Sequence, residues 1–355
     1  MLGSRFKNTI MKVSISIISI LGAILIGAVI IASVGENVFI AYGFLLRGAF
    51  GNSRAVGETL VKATPLIFTA LAAVFSYRCG MFNLGAEGQF IMGAVAASWI
   101  SVTILPFGGI INTLLSLLVG ALAGGVWGAI PGLLKAYRGL NEMIVSILLN
   151  YVATLFMAFL YSGPLMEKNI PQTAAVFDDV KLTRLLEGSR VHSGIFIAVG
   201  VAILVTYFLF KTAKGYQLRV VGLNPIAAKV NGLPVKKMIA SAFVVSGMIA
   251  GLGGATELLG SSYRLMAGFG QGFGFDGVAI ALIGQLHPIG AGLIAYLFAV
   301  LRTGANTMQI ATGITTAVVD IVQAVIIIFA VAATAITALP GVKAIVNRKW
   351  RGIEQ

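Results

Sequence analysis

The sequence is poor in charged residues, and this shortage narrows its class more than any other feature. Of the 355 residues, only 10% are charged, against about 25% in typical soluble domains. Hydrophobic residues make up 58% of the chain, and its mean hydropathy is +0.97. So few charges could not cover a water-soluble fold of this length. The composition therefore predicts a polytopic membrane protein.

Cysteine and histidine are also scarce. The single cysteine, Cys79, excludes an intrachain disulfide framework and a cysteine-based metal cluster, and we interpret it as a small buried thiol. His287 stands beside Pro288 with no clustered acid, so no metal site is predicted. The apolar runs contain no paired catalytic carboxylates and no Ser-His-Asp pattern, so no catalytic residue is assigned.

A phosphate-cradling loop is missing as well. The dipeptide Gly-Lys never occurs in the sequence, so the pattern G-x-x-x-x-G-K-[ST] is absent. If ATP drives this protein, ATP and Mg²⁺ must bind to another chain, and no cofactor is expected in this one. The net charge of +13 falls in short runs between apolar stretches, which favours membrane topology over nucleic-acid binding.

Apolar runs long enough to enter a membrane predict ten spans. They lie near 15–34, 60–77, 82–104, 113–135, 141–161, 194–210, 238–259, 276–286, 288–303 and 315–338. With ten spans and both termini in the cytoplasm, 16 of the 25 Lys and Arg fall on inward segments, and eight of the twelve Asp and Glu fall on outward ones. We predict a single permease-like membrane domain over residues 1–355, with external segments 35–59 and 162–193.

The stretch "CGMFNLGAEGQF", residues 79–90, interrupts the apolar pattern with three glycines and three polar residues, Asn83, Glu87 and Gln89. Broken helices survive in a bilayer only where protein covers them or where they line a watery cavity. If the third span restarts near Leu84, Glu87 lies in its first turn, where a carboxylate suits the helix dipole. The alternatives are a polar lining for a solute path, or a lock between the halves of the fold.

A second interruption, "GFGQGFGFDGVA" at residues 268–279, resembles the first and opens a span at Asp276. The first break lies at the inner end of span 3 and the second at the outer end of span 8. Spans 2–5 and 7–10 would then be inverted repeats, a common transporter plan with substrate near the midplane. The alternating glycines could equally form a flexible outer loop.

Other polar residues fall within the predicted spans or beside them. Asn141 and Glu142 open span 5, with Asn150 on about the same face, and they fit either a cap with an interhelical hydrogen bond or a solute path. Asp320 and Gln323 share a face of span 10 and favour packing against helices or a partner permease. Gln309 lies in the predicted outer connection before span 10, where it could meet solute or a binding protein.

The inner loop, residues 211–237, contains six bases and no acid. Within it, Asn224 suits an N-cap, Pro225 suits the first helical position, and Asn231 with Gly232 forms a stop. The loop therefore predicts a two-turn helix on the cytoplasmic face. It either merely joins two spans or acts as a lever that a cytoplasmic partner pushes.

Four segments carry a family resemblance that runs from about residue 40 to 340. "GLNPIAAKVNG" (222–232) resembles the coupling helix of ABC importer permeases of the ribose/simple-sugar and branched-chain amino acid superfamily. Segments 58–97, 139–153 and 275–314 resemble its nucleoside branch. The resemblance implies an all-α, type II importer-like permease whose coupling helix, contacting the ATPase, comprises Asn224, Pro225, Ile226, Ala227, Ala228, Lys229, Val230, Asn231 and Gly232.

The resemblance also implies partners: ABC ATPase subunits below, an extracellular substrate-binding lipoprotein above, and a second permease, with a heterodimer favoured over a homodimer. The expected location is the bacterial plasma membrane, and the expected function is ATP-driven nucleoside import by alternating access. Ribose-like sugars or branched-chain amino acids remain alternative cargoes. A proton-coupled secondary transporter is the alternative class, in which Glu87, Glu142 or Asp320 would have to relay protons. The candidate path residues are Asn83, Glu87, Gln89, Asn141, Glu142, Asn150, Asp276 and Gln309.

Overall fold

The computed structural model describes residues 21–22, 24–103, 109–186 and 188–338, with side chains described as far as Phe329. Part of the first predicted span, the N-terminus and the basic tail after Val342 lie outside the described residues. Within them the chain is predominantly helical, as the composition predicts.

Thirteen helices are described along these ranges. They are α1 (Ile24–Ser33), α2 (Val38–Phe50), α3 (Ser53–Arg78), α4 (Ala86–Thr103), α5 (Gly109–Leu133), α6 (Glu142–Ser162), α7 (Gly194–Lys211), α8 (Ala213–Leu223), α9 (Pro225–Val230), α10 (Val235–Glu257), α11 (Phe273–Ile283), α12 (Pro288–Thr312) and α13 (Ala317–Ala338). Helices α5 and α10 continue into π-helical turns, Leu134–Arg138 and Leu258–Ser262. A hairpin of β1 (Met166–Glu167) and β2 (Ile170–Thr173) and a 3-10 turn, Asp178–Val180, lie between α6 and α7.

Asparagine side chains begin several of these helices. The Oδ1 atom of Asn52 accepts a hydrogen bond from the Ala55 N–H at 2.8 Å, and Asn141 caps α6 in the same way through Met143 N–H at 3.0 Å. Such a cap satisfies backbone donors that the first helical turn leaves free. The cap at Asn141 agrees with its interpretation from the sequence, whereas the sequence analysis did not select Asn52.

Six of the helices are long and apolar enough to cross a membrane: Ser53–Arg78, Gly109–Arg138, Glu142–Ser162, Gly194–Lys211, Val235–Ser262 and Pro288–Thr312. Four shorter apolar helices are Ile24–Ser33, Val38–Phe50, Phe273–Ile283 and Ala317–Phe329. The protein is thus a multi-pass membrane protein. The predicted external segment 35–59 holds α2 and the start of α3, and the inner loop 211–237 holds α8 as well as the expected short helix.

The chain divides into two compact units, one formed by residues 49–303 and the other by the segments up to Gly48 and from Gly304 onward. In the second unit, the Tyr42 hydroxyl donates a hydrogen bond to the Ile24 carbonyl at 2.6 Å, and Gly27 lies against Val322. This unit therefore packs α1 and α2 with α13.

In the larger unit, α10 lies at the centre and packs against α3, α4 and α5. Close approach is possible because glycines face one another: a Cβ on Gly93 would lie 2.3 Å from the Gly251 carbonyl oxygen, and one on Gly124 would lie 2.4 Å from that of Gly247. Small residues at such contacts let helix backbones pack tightly in membranes. Helix α3 is the most enclosed, with 89% of its apolar window buried inside the protein.

Both predicted interruptions are real breaks in helical structure. Residues 79–85 connect α3 to α4 without regular structure, and residues 263–272 connect the π-turn after α10 to α11. Gly268, Gly270 and Gly272 all have positive φ, at 84°, 72° and 82°. Because L side chains rarely adopt this conformation, the alternating glycines permit the second break.

The larger unit has two distinct ends. We call one the α8–α9 end; it also holds the end of α3, where the Arg78 Nε donates to the Leu286 carbonyl at 2.8 Å. The other, the hairpin end, holds β1, β2 and the residues after them. Here the Leu182 N–H donates to the Leu259 carbonyl at 3.0 Å and the Val176 N–H to the Tyr263 carbonyl at 2.9 Å, so the loop 162–193 folds down onto the end of α10.

Candidate functional site

The first break is held by a buried network of amides. The Asn83 Nδ2 donates to the Gln89 Oε1 and to the Ser246 Oγ, both at 2.9 Å, and the Ser246 hydroxyl donates to the Ala72 carbonyl at 2.7 Å. Asn83 and Gln89 are buried, and their bonds join α3, α4 and α10. Much of the hydrogen-bonding capacity of Asn83 and Gln89 is therefore used within the chain.

Helix α6 supports the same break from the other side. Asn150 accepts a hydrogen bond from the Gly88 N–H at 2.8 Å and donates one to the Leu84 carbonyl at 2.9 Å. It thereby satisfies two backbone groups that the broken helix leaves without partners. At the start of α6, Glu142 pairs with Lys135 at 2.8 Å, and Asn141 acts as the N-cap.

Glu87 lies where the two breaks meet. It is in the first turn of α4, and the backbone N–H groups of Gly272 and Phe275, at the start of α11, face its carboxylate. A Cβ on Gly274 would lie 2.3 Å from the Glu87 nitrogen, so the N-terminal ends of α4 and α11 touch. The Oε2 atom of Glu87 is buried and has no hydrogen-bond partner among the described residues.

Arg302, on α12, forms an ion pair with Asp276 in the first turn of α11. The Lys62 Nζ donates to the Arg302 carbonyl at 3.2 Å, and Glu58, one turn earlier on α3, pairs with Arg190 at 2.6 Å. Charged groups thus extend from the hairpin end to the meeting point of the breaks. We call them the charged row: Arg190, Glu58, Lys62, Arg302, Asp276 and Glu87.

The charged row is partly exposed rather than sealed. The side chains of Glu58 and Asp276 are each 20% exposed, and that of Arg302 is 26% exposed. Charged residues in membrane segments usually face a protein interior or a water-filled cavity, and they mark solute pathways. Sequence reasoning selected Asp276 and Glu87 but missed Lys62 and Arg302, since isolated bases inside apolar runs carry no signal of their partners.

The hairpin end contains a buried histidine beside this row. The His192 Nδ1 accepts a hydrogen bond from the Gly194 N–H at 3.2 Å, and a Cβ on Gly260 would lie 2.3 Å from the same nitrogen. Burial lowers the pKa of His192 to about 4, so it is neutral at physiological pH. No local sequence pattern indicates that His192 is buried.

Helix α9 has a buried side and an exposed apolar side. The Asn224 Oδ1 caps it by accepting from the Ile226 and Ala227 N–H groups at 3.0 and 2.9 Å, and Ala228 is fully buried. By contrast Ile226 and Val230 are 76% and 83% exposed. These exposed apolar side chains can pack either against a partner or against the membrane interface. Lys229 is exposed, and Gly232 ends the segment with φ of 76°.

The remaining candidates lie in the second unit. Gln309 is exposed but lies within α12, which extends to Thr312 instead of ending near 303. Asp320 is exposed and Gln323 is buried. Among the described residues, no group of three or more His, Cys, Asp or Glu could hold a metal ion.

Comparison with known proteins identifies the family. Residues 55–331 match the family described as branched-chain amino acid transport system / permease component. The chain belongs to this family. It is therefore the transmembrane permease component of an ABC transport system. Members of this family are membrane subunits, which are distinct from the ATPase subunits.

Three curated relatives are similar over much of this permease. The guanosine ABC transporter permease protein NupP of Bacillus subtilis is 37% identical, covering 92% of this chain and 95% of the relative. The guanosine ABC transporter permease protein NupQ of the same organism is 31% identical over 66% of this chain and 76% of the relative. The glucose ABC transporter permease protein TsgB13 of Haloferax volcanii is 33% identical over 88% of this chain and 85% of the relative.

Proposed function

We propose that this permease imports nucleosides across the bacterial plasma membrane, driven by ATP hydrolysis on separate ATPase subunits. The observation that carries the proposal is the 37% identity to a guanosine permease along 92% of this chain. The absence of the pattern G-x-x-x-x-G-K-[ST] supports the division of labour, because that loop holds the phosphates of ATP in many ATPases.

In this proposal α9 is the coupling helix. Its exposed Ile226 and Val230 would contact the ATPase, while buried Ala228 anchors the helix to the permease. The α8–α9 end is then cytoplasmic, and ten spans with both termini inside follow from the distribution of basic residues. The hairpin end faces outward, where an extracellular substrate-binding lipoprotein would dock.

The solute path would pass the meeting point of the two breaks. Helices α4 and α11 each begin after an interruption, and their N-terminal ends touch at Glu87 and Gly274. This arrangement supports inverted repeats of spans 2–5 and 7–10, in which alternating access occurs around a site near the midplane. Asp276 and Glu87 would accept hydrogen bonds from the hydroxyl and amine groups of a nucleoside.

A second, non-identical permease is the favoured partner, with a homodimer as the alternative. Bacillus subtilis has two different relatives, NupP and NupQ, both named as guanosine permeases. The exposed face of α13, which carries Asp320 beside the apolar Ile321 and Ile328, is a candidate contact for that partner.

The test is uptake of labelled guanosine and uridine by cells with and without this gene. Unlabelled ribose, glucose, leucine and free bases serve as competitors, and ATP depletion forms a parallel arm. We expect uptake that requires both the gene and ATP, with competition by nucleosides alone.

Other results would redirect the proposal. If sugar uptake falls instead, the cargo is a simple sugar, a second candidate favoured by the 33% identity to a glucose permease. If leucine uptake falls, the cargo is a branched-chain amino acid. Uptake that survives ATP depletion but collapses with the proton gradient would identify a proton-coupled transporter, with Glu87 as the candidate proton site.

A further inference from the structure

At the α8–α9 end, three side chains surround the ring of Phe210, the second-last residue of α7. The guanidinium carbon of Arg78 lies 5.3 Å from the ring centroid, and that of Arg219 lies 5.1 Å from it. The imidazole of His287 stacks on the ring at 5.2 Å with an interplanar angle of 18°. We call this half-buried group the Phe210 recess.

The recess concentrates positive charge, and the described residues place no carboxylate on it. Among the described residues, Arg78 donates to two backbone carbonyls, from Nε to Leu286 at 2.8 Å and from Nη2 to Gln285 at 3.4 Å. The Nε of Arg219 is buried and has no hydrogen-bond partner among the described residues. Burial, and to a smaller extent the charge of Arg78, lower the pKa of His287.

Three other partly buried bases of the larger unit each have a carboxylate partner, whereas Lys62 contacts the Arg302 carbonyl. Lys135 pairs with Glu142, Arg264 pairs with Glu167 at 3.0 Å, and Arg302 pairs with Asp276. For Arg78 and Arg219 the described residues supply no ion pair. Two guanidinium groups held on one ring repel each other, and an unpaired charge in a partly buried place is costly. Within the part of the chain that the structure describes, the recess therefore lacks a counter-ion.

The position of the recess indicates where the counter-ion comes from. Helix α3 ends at Arg78, α7 ends at Lys211, and α12 begins at Pro288, so three apolar spans stop at this level. The end of an apolar span marks the boundary between hydrocarbon and lipid headgroups. Basic pockets between membrane helices at this depth bind anionic headgroups.

We propose that the Phe210 recess binds a phosphate group, and that in the membrane this phosphate belongs to the headgroup of an anionic phospholipid. The planar guanidinium of Arg219 donates to the phosphate oxygens in a charge-assisted pair, and Arg78 adds its remaining N–H groups. Phe210 holds both guanidinium groups in place by cation–π contact. A bound anion favours protonation of His287, which then becomes a further donor.

The experiment is native mass spectrometry of the intact transporter complex, titrated with phosphatidylglycerol or phosphatidylcholine as the probe. We expect phosphatidylglycerol to be retained in preference to phosphatidylcholine. Arg219→Gln should weaken phosphatidylglycerol binding by about tenfold or more, because it removes a charge-assisted hydrogen bond to a phosphate oxygen. Arg219→Lys keeps the charge but loses the planar guanidinium. Its affinity for phosphatidylglycerol should lie between those of the wild type and Arg219→Gln.

Lys211→Gln is the matched control, because Lys211 adjoins Phe210 in sequence and is exposed at the same end. Phosphatidylglycerol binding should be unchanged in this variant. The proposal fails if phosphatidylcholine is retained equally, or if Arg219→Gln and Lys211→Gln bind phosphatidylglycerol alike. If inorganic phosphate displaces phosphatidylglycerol at equal concentration, the site takes free phosphate and the assignment to lipid is wrong.

Discussion

Asn150 is a single side chain that stabilises the broken backbone between α3 and α4. It donates to the Leu84 carbonyl and accepts from the Gly88 N–H, so it completes two backbone groups at the first break. Replacing it by alanine leaves both groups buried without a partner. We expect Asn150→Ala to lower the free energy of unfolding by about 1–3 kcal/mol, measured as a fall in melting temperature of the purified complex.

Thr154 provides the control for Asn150. It lies one turn further along α6, and its hydroxyl donates only to the Asn150 carbonyl of its own helix, at 3.0 Å. Thr154→Ala should therefore have little effect on the melting temperature. Equal melting temperatures for both variants would show that the bonds from α6 to the break do not stabilise the fold.

His192 predicts how the hairpin end responds to acid. Its pKa is about 4 in the folded protein against 6.5 ordinarily, so between these values the unfolded chain binds more protons than the folded one. The stability that depends on a neutral His192 is therefore fully present above about pH 6.5 and decreases as the pH falls towards 4. We expect the fall in melting temperature between about pH 7.5 and about pH 5 to be smaller in His192→Gln than in the wild type. An identical fall in both proteins would mean that other groups carry the acid sensitivity.

At the scale of elements, the contact between α5 and α10 depends on glycine. A Cβ on Gly251 would lie 2.5 Å from the Gly120 carbonyl oxygen and 2.8 Å from the Gly124 Cα, so the backbones would have to separate. We expect Gly251→Ala to destabilise the protein by about 1–3 kcal/mol. A Cβ on Gly200, in α7, would meet nothing within 4 Å among the described residues, so Gly200→Ala should be neutral or stabilising by up to about 1 kcal/mol. Thermal unfolding of the two variants decides the matter, and equal losses would contradict it.

Substitutions on the exposed side of α9 can test its role in docking without disturbing the packing of the fold. Ile226 and Val230 are exposed, whereas Ala228 is buried, so an acid at Ala228 would disturb packing as well as docking. We expect Ile226→Glu with Val230→Glu to abolish uptake and co-purification of the ATPase while membrane insertion and melting temperature are kept. Lys214→Gln, at an exposed position of α8 at the same end, is the control and should transport normally. Full transport by the double variant would show that α9 only joins spans.

The sequence predicted best those elements whose ends are marked by residues close to them in the chain. The restart of span 3 and the short helix 225–230 follow from glycines and from an asparagine cap, which act within a few residues. Helix α8 and the extension of α12 to Thr312 were not predicted, because their sequences mix charged or polar residues with apolar ones and show no sharp boundary. Of the candidate site, Glu87 and Asp276 could be selected singly, but their meeting depends on helix packing that no local pattern encodes.

At the scale of the whole molecule, the charged row connects the hairpin end with the breaks. If it lines the solute path, removing a member should reduce uptake more than it reduces stability. We expect Arg302→Gln to impair nucleoside uptake strongly, because the ion pair between Arg302 and Asp276 is lost and the positive charge at this point of the row is removed. Uptake in proteoliposomes containing the complex, set beside melting temperature, is the measurement.

Arg264→Gln is the matched control for the charged row. It also breaks a partly exposed ion pair, with Glu167, whose side chains are 30% and 27% exposed, but it lies off the row. It should cost similar stability and leave uptake largely intact. Equal losses of uptake in the two variants would make the row a structural feature alone.

The enclosure of α3 has a consequence for how the chain is made. Its apolar window is 89% buried, mainly by α10 and α11, which lie more than 150 residues later in the sequence. During synthesis α3 must first sit among lipids, since the helices that will enclose it have not yet left the ribosome. It then exchanges lipid for protein once residues 235–283 enter the bilayer. Nascent chains truncated before α10 should therefore hold α3 in contact with lipid, and the permease acquires its interior only near the end of translation.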